Sequence, residues 1–148
     1  KLQKTILVPV GLSRQVIVSS EEVDQAYIEE MTKLIVYHAL SYTPQSVEWQ
    51  FKKLLDLFAP EAYPKYEGAF MRLAKDVKET GVTSSFYITS IEYDLVRKRI
   101  LVGGYLYQWL QDKKFVTDDH KYYFIDYDVR YGKFMLTGFE ECTQNCKL

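Results

Sequence analysis

The sequence is poor in the features that mark a catalyst or a membrane span. Its longest apolar runs, such as Ile6-Leu7-Val8-Pro9-Val10, fall well short of the ~20 residues needed to cross a bilayer. It does not begin with Met and carries no signal-peptide pattern, so it reads as a fragment from which any anchor has been removed. Two cysteines and two histidines are its whole stock of soft ligands, too few and too scattered for zinc. No Gly-x-Ser-x-Gly or comparable signature occurs, and a nucleophilic site needs a positioned base and an orienting group. Charge of one sign is also missing, since 19 Lys and Arg face 20 Asp and Glu. That argues against a nucleic-acid binder, which would show a basic face. The expectation is therefore no catalytic residue, no cofactor, no metal and no nucleic-acid partner.

What is present suits one domain. A chain of 148 residues buries roughly 68–70% of its unfolded surface without needing a metal or a disulfide. Tyrosine is abundant, 13 in all, and its apolar body with a polar tip favours half-buried sheet faces and interfaces. The central stretch is Arg99 to Leu110, rich in β-branched and aromatic residues, which fit a pleated surface. Ile100, Val102, Gly104 and Leu106 share one face of this strand, and Leu101, Gly103, Tyr105 and Tyr107 the other. Neither face is fully polar, which places the strand in mid-sheet. The paired glycines mark a bend or bulge, and hence a curved sheet.

Before that strand the period is helical. Residues 1–18 read as an extended lead, with a short edge strand at Gln15–Val18 as the alternative. Ser19-x-x-Glu22 is a capping-box pattern, followed by Val23, Tyr27, Met31, Leu34, Ile35 and His38 at helical spacing to about Ser41. Thr43-Pro44 fits an N-cap with Pro at the first helical position. It opens a helix striped by Val47, Phe51, Leu54, Leu55 and Phe58 and ended by Pro60. Pro64 opens a third helix, with Tyr66, Phe70, Leu73, Ala74 and Val77 on one face and Gly81 at its end. From Val82 the period becomes two. Tyr87, Thr89, Ile91 and Tyr93 share a face of the first strand. The third strand spans Tyr122–Tyr131, with Tyr123, Ile125, Tyr127 and Val129 inward. A fourth spans Phe134–Phe139. The fold class is α+β: three N-terminal helices packed on a curved four-stranded antiparallel meander.

Few residues invite chemistry. Asp126 and Asp128 are the only acids placed to serve as bases in a pocket, and the competing reading puts both on a solvent face. His38 reads as a hydrogen-bonded helix residue and His120 as a strand entrance. Lys52-Lys53, Arg97-Lys98-Arg99 and Lys113-Lys114 read as solvated charge near acids. Cys142-x-x-x-Cys146 reads either as a disulfide or as two reduced thiols.

Tyr27-Ile28-x-x-Met31, Thr43-Pro44-x-x-Val47, Ser85-Phe86-Tyr87, Gly104-x-Leu106-x-x-Trp109, Thr117-Asp118 and Gly138-Phe139 occur in an order and spacing that resemble the TraE family of F-like conjugation systems. The resemblance covers nearly the whole chain from about Val8 onward. That family is related to the VirB-eight-type components of type IV secretion machines. The resemblance implies a nuclear-transport-factor-two-like cone. It also implies a bitopic bacterial inner-membrane protein whose domain at 19–141 lies in the periplasm, with 1–18 leading from a removed anchor and 142–148 as a tail. The VirB-eight-type Asn-Pro-x-Gly loop is absent between Gln111 and Asp119, so contacts assigned to that loop are not carried over.

The function expected is a non-catalytic assembly scaffold that binds itself and other secretion components. Tyr27 and Met31 at the start of the first helix, and Tyr105 and Tyr107 on the sheet, are the interface candidates. Ordinary core packing is the competing reading for Tyr27 and Met31. The alternative function is a small-molecule-binding protein or enzyme using a pocket of the cone.

Overall fold

Apolar residues recur at helical spacing up to Thr80 and alternate from Thr83 onward, and the fold switches with them. The computed structural model describes residues 4–7, 16–19, 24–112 and 115–148. In chain order these hold β1 (Lys4–Leu7), β2 (Val16–Ser19), α1 (Gln25–Leu40), α2 (Val47–Leu55), α3 (Tyr63–Thr80), β3 (Thr83–Asp94), β4 (Arg99–Trp109), β5 (Phe115–Arg130) and β6 (Lys133–Cys142). Strands β3-β4-β5-β6 form one antiparallel sheet, as the meander pattern requires, and β1 pairs with β2 in a separate hairpin.

Helix α1 begins later than the capping box suggested. Ser19 closes β2 opposite Lys4. The helix is capped by Asp24, whose carboxylate accepts the Ala26 N–H at 2.7 Å, a contact worth about 1 kcal/mol. Ser20, Glu22 and Val23 lie outside the described residues. The Thr43 cap works one turn ahead of the regular helix α2. Thr43 Oγ1 accepts the Ser46 N–H at 3.2 Å and Ser46 Oγ accepts the Thr43 N–H at 3.0 Å, a reciprocal cap. Buried Gln50 then ties α2 to α1, its amide donating to the Ser41 carbonyl at 2.7 Å.

Helix α2 stops at Leu55, before Pro60, and Phe58 is not on its stripe. The backbone leaves the helix because the edge of β6 offers open partners. The Ala59 N–H donates to the Leu136 carbonyl, and the Leu136 N–H to the Leu57 carbonyl, both at 2.8 Å. At the opposite edge Tyr42 and Ser84 exchange two backbone bonds of 2.9 and 2.8 Å. Each sheet edge is thus covered in part by a helix connection, which blunts strand addition there. Helix α3 carries Pro64 in its first turn and ends at Gly81 with φ +77°. Leu73 does not join the packed face of α3 and remains 41% exposed.

The core lies between the helices and one face of the sheet, joining Ile28, Ile35, Phe51 and Leu54 to Ile100, Val102, Ile125 and Leu136. Three register steps shape that sheet. In β3 the register steps from Ile88–Gly104 to Ser90–Gly103, leaving Thr89 unpaired. The extra residue flips the pleat, so Tyr87 is exposed while Ile91 and Tyr93 pack against the core; the four do not share a face. The other steps lie between Gln108 and Trp109 of β4 and between Asp126 and Tyr127 of β5. Bulges bend and twist a sheet, and this curvature wraps it around the helices. Strand β5 begins at Phe115, seven residues before Tyr122, where its backbone pairs with β4. Strand β6 likewise runs on to Cys142.

Candidate functional site

The outer face of the sheet carries an aromatic patch. Tyr87, Tyr105 and His120 are level across β3, β4 and β5. The Tyr105 and His120 rings meet edge-on at 4.8 Å, and Tyr87 meets Tyr107 at 5.9 Å. Tyr105 stacks beside Tyr107 at 6.4 Å, and His120 lies 4.9 Å from Tyr122. His120 Nε2 sits 3.2 Å from the Thr89 hydroxyl at the bulge. The patch is rigid because cross-strand pairs fix its rings, yet Tyr87 is 61% and Tyr105 44% exposed. Exposed tyrosines on a fixed scaffold bind at low entropic cost.

Tyr27 and Met31 are elsewhere and inaccessible. They are 7% and 6% exposed, and Tyr27 meets the Phe134 ring edge-on at 6.4 Å. The expectation that they offer surface to a partner is corrected, since the inner face of the sheet takes them as core. Sequence reasoning missed a second exposed cluster on the helices. Trp49 is 60% and Tyr37 55% exposed, with His38 between them at 6.0 and 5.3 Å. The signal was legible, because Trp49 falls off the apolar stripe of α2. His38 donates from Nδ1 to the Leu34 carbonyl at 3.0 Å.

An open groove of about 470 Å³ runs between α1, α3 and the inner sheet face. Tyr42, Phe70, Tyr123 and Phe139 give it an apolar floor, and Leu73 borders it. Its rim charges are paired: Glu140 with Lys65 at 3.1 Å and Glu141 with Lys121 at 3.4 Å. The Tyr66 hydroxyl donates to Glu140 at 2.8 Å and accepts the Phe139 N–H at 3.1 Å. Burial pushes the Tyr66 and Tyr123 hydroxyls above their ordinary range. A tyrosine so held stays protonated at neutral pH and serves poorly as a base.

Asp126 and Asp128 do not line that groove. Asp126 pairs with Arg99 at 3.1 Å. Asp128 pairs with Arg130 at 2.9 Å and Lys98 at 3.6 Å, and the Arg130 hydrogen bond holds its carboxyl below the usual range. Arg130 also reaches Glu61, tying the sheet to the α2–α3 connection. Lys52 is held by Glu48 at 2.8 Å; Lys113 and Lys114 lie outside the described residues. Among the described residues no three His, Cys, Asp or Glu side chains converge as metal ligands, and no helix is long and apolar enough to cross a membrane. At the end of β6 the structure pairs Cys142 with Cys146, with Cα atoms 5.8 Å apart, inside the range for a bridge.

The sequence profile of the family described as TraE protein matches residues 1–141. The chain belongs to the TraE family. It is 28% identical to Protein TraE of Salmonella typhi over 120 residues, covering 81% of this chain and 64% of that one. It is 27% identical to Protein TraE of Escherichia coli over 123 residues, covering 83% and 65%. The chain thus spans a little under two thirds of those relatives' length. Among solved structures, a TrwG component of the type IV secretion system of Bartonella birtlesii superposes with a TM-score of 0.70 at 11% identity, over 86% of this chain and 99% of that one. A TraE protein in complex with 2-(2-furyl)isonicotinic acid gives 0.62 at 17% identity, over 82% and 97%. In this chain the shared fold holds the aromatic face outward and the groove open on the helical side.

Proposed function

We propose that this TraE chain is the periplasmic, non-catalytic assembly domain of an inner-membrane component of a conjugative type IV secretion system. A single membrane helix precedes it in the whole protein, residues 1–18 lead from that anchor, 19–141 form the domain and 142–148 its tail. It works by contact with further copies of itself and with other envelope components, not with nucleic acid. The observation that carries this reading is the fixed, exposed outer face built on Tyr87, Tyr105 and Tyr107. A patch of this kind on a rigid sheet is what interfaces use. Anchoring raises the effective concentration, so weak contacts suffice. The acids nominated for chemistry support the same reading, because each is tied in an ion pair.

The test is complementation. A donor cell lacking the gene is given the full-length gene, native or with Tyr87→Asp and Tyr105→Asp. The native gene should restore DNA transfer and piliation, and the double variant should not, although the protein accumulates. Undiminished transfer in the deletion donor would refute the assignment. The groove favours a second reading, ligand binding, since TraE proteins have been solved with 2-(2-furyl)isonicotinic acid and with 2-chloroisonicotinic acid. Saturable binding of either acid, lost on Tyr123→Ala, would support it.

A further inference from the structure

We propose that the end of the sheet carrying the β3–β4 and β5–β6 turns rests on an anionic lipid surface. This rests on the reading that a membrane anchor precedes the domain. Single exposed apolar side chains are ordinary, but here they gather at one end. Val96 is 90% and Tyr131 99% exposed, with Leu95 at 42%. The register puts both turns at that end, since Asp94 pairs with Arg99, Arg99 with Asp126, and Arg130 with Lys133. Two strand spacings separate the tips, about 10 Å, and the Tyr127 N–H reaches the Lys98 carbonyl at 3.2 Å between them. Tyr131 and Gly132 have φ of +55° and +76°, the tight hairpin geometry that makes Tyr131 the outermost residue.

Helix α1 starts at the same end. Tyr27, in its first turn, packs on Phe134 beside the β5–β6 turn, while its C-terminal neighbour Tyr42 meets Ser84 at the far end of β3. The polypeptide therefore enters the helical layer from the side of the tips. Beside the tips Asp126, Asp128 and Glu61 are ion-paired, whereas Asp94 keeps its charge while accepting the Arg97 N–H at 2.9 Å, and Asp24 and Glu29 are exposed at the start of α1. Arg97 and Lys133 are exposed and make no ion pair among the described residues. Apolar tips with cations beside them suit the headgroup layer, where aliphatic and Tyr side chains enter and Arg and Lys reach phosphate.

The experiment tethers the chain, by an N-terminal hexahistidine, to vesicles holding nickel-chelating lipid, phosphatidylglycerol and brominated phosphatidylcholine. A Tyr131→Trp variant reports contact through bromine quenching, against the background from Trp49 and Trp109. Quenching above that background is expected, with its loss on adding Val96→Asp or on replacing phosphatidylglycerol by phosphatidylcholine. Quenching equal to background, or unchanged by Val96→Asp or by lipid charge, would overturn the proposal. A protein unquenched here whose Tyr87→Asp, Tyr105→Asp form still fails in conjugation defeats this inference alone and leaves the assembly function standing.

Discussion

Replacing Gly104 by Ala would place a Cβ 2.3 Å from the Tyr87 carbonyl oxygen and 2.6 Å from Cζ of Phe86. The oxygen belongs to the backbone of the neighbouring strand, at the bulge, and has no rotamer to escape into. Phe86 is 8% exposed and held edge-on to Tyr123 at 5.5 Å. Intrusion against backbone falls at the upper end of the overpacking range, about 3 kcal/mol. For a domain of this size each kcal/mol moves Tm by about 2–4 °C, so the expected fall is about 6–12 °C. Gly103→Ala is the informative neighbour. Its Cβ would meet Ser90 Oγ at 2.7 Å and Tyr122 Cε1 at 2.8 Å, both side chains that can turn, and it should cost only about 1 kcal/mol. Gly68→Ala should act oppositely. Its closest neighbour is the flexible Arg72 guanidinium at 3.3 Å, and removing a helix-interior glycine gains up to about 1 kcal/mol. Thermal melts followed by circular dichroism should rank Gly68→Ala above the parent, then Gly103→Ala, then Gly104→Ala. A Gly104→Ala protein melting within a degree of the parent would refute the reasoning that the Tyr87 carbonyl leaves no room for a Cβ at position 104.

Gln50→Leu should lower stability by about 1–3 kcal/mol, because the Ser41 carbonyl loses its buried donor; an unchanged urea midpoint would contradict this. Burial holds the Tyr93 and Tyr127 hydroxyls at about 12, against an ordinary 10.0. The folded chain keeps these protons where the unfolded chain has lost them, so stability is full below pH 10 and falls as pH rises from 10 to 12. Equal denaturation midpoints at pH 8 and pH 11 would count against that burial. Reducing the Cys142–Cys146 pair should raise hydrogen exchange at the end of β6 and cost at most about 2 kcal/mol. Two alkyl groups taken up without reductant would show that no bridge forms.

The order of elements was legible because period and punctuation agreed. Pro64 and Gly81 bracket α3, and Tyr131-Gly132 makes the last turn, each for a backbone reason visible in one residue. The errors came from tertiary pairing. Phe58 continues the helical stripe of α2, but the open edge of β6 draws its backbone away. Thr89 continues the alternation of β3, but one unpaired residue reverses the faces beyond it. Asp118 and Asp119 fall before the strand start expected at Tyr122, because polar residues in a ladder leave no apolar trace. For the site, Tyr105 was placed correctly on the outer face by parity alone. Tyr27 and Met31 could not be assigned from α1, since a buried stripe and an exposed one share the same spacing.

The outer aromatic face as the point of assembly is tested most directly by photo-crosslinking in a donor cell. A photoreactive phenylalanine analogue replaces Tyr105 in the full-length protein, with Lys75 on exposed α3 as the control position. Irradiation should yield discrete adducts to a second copy or to another envelope component from position 105 and none from position 75. Adducts absent from position 105 while DNA transfer proceeds normally would contradict the account.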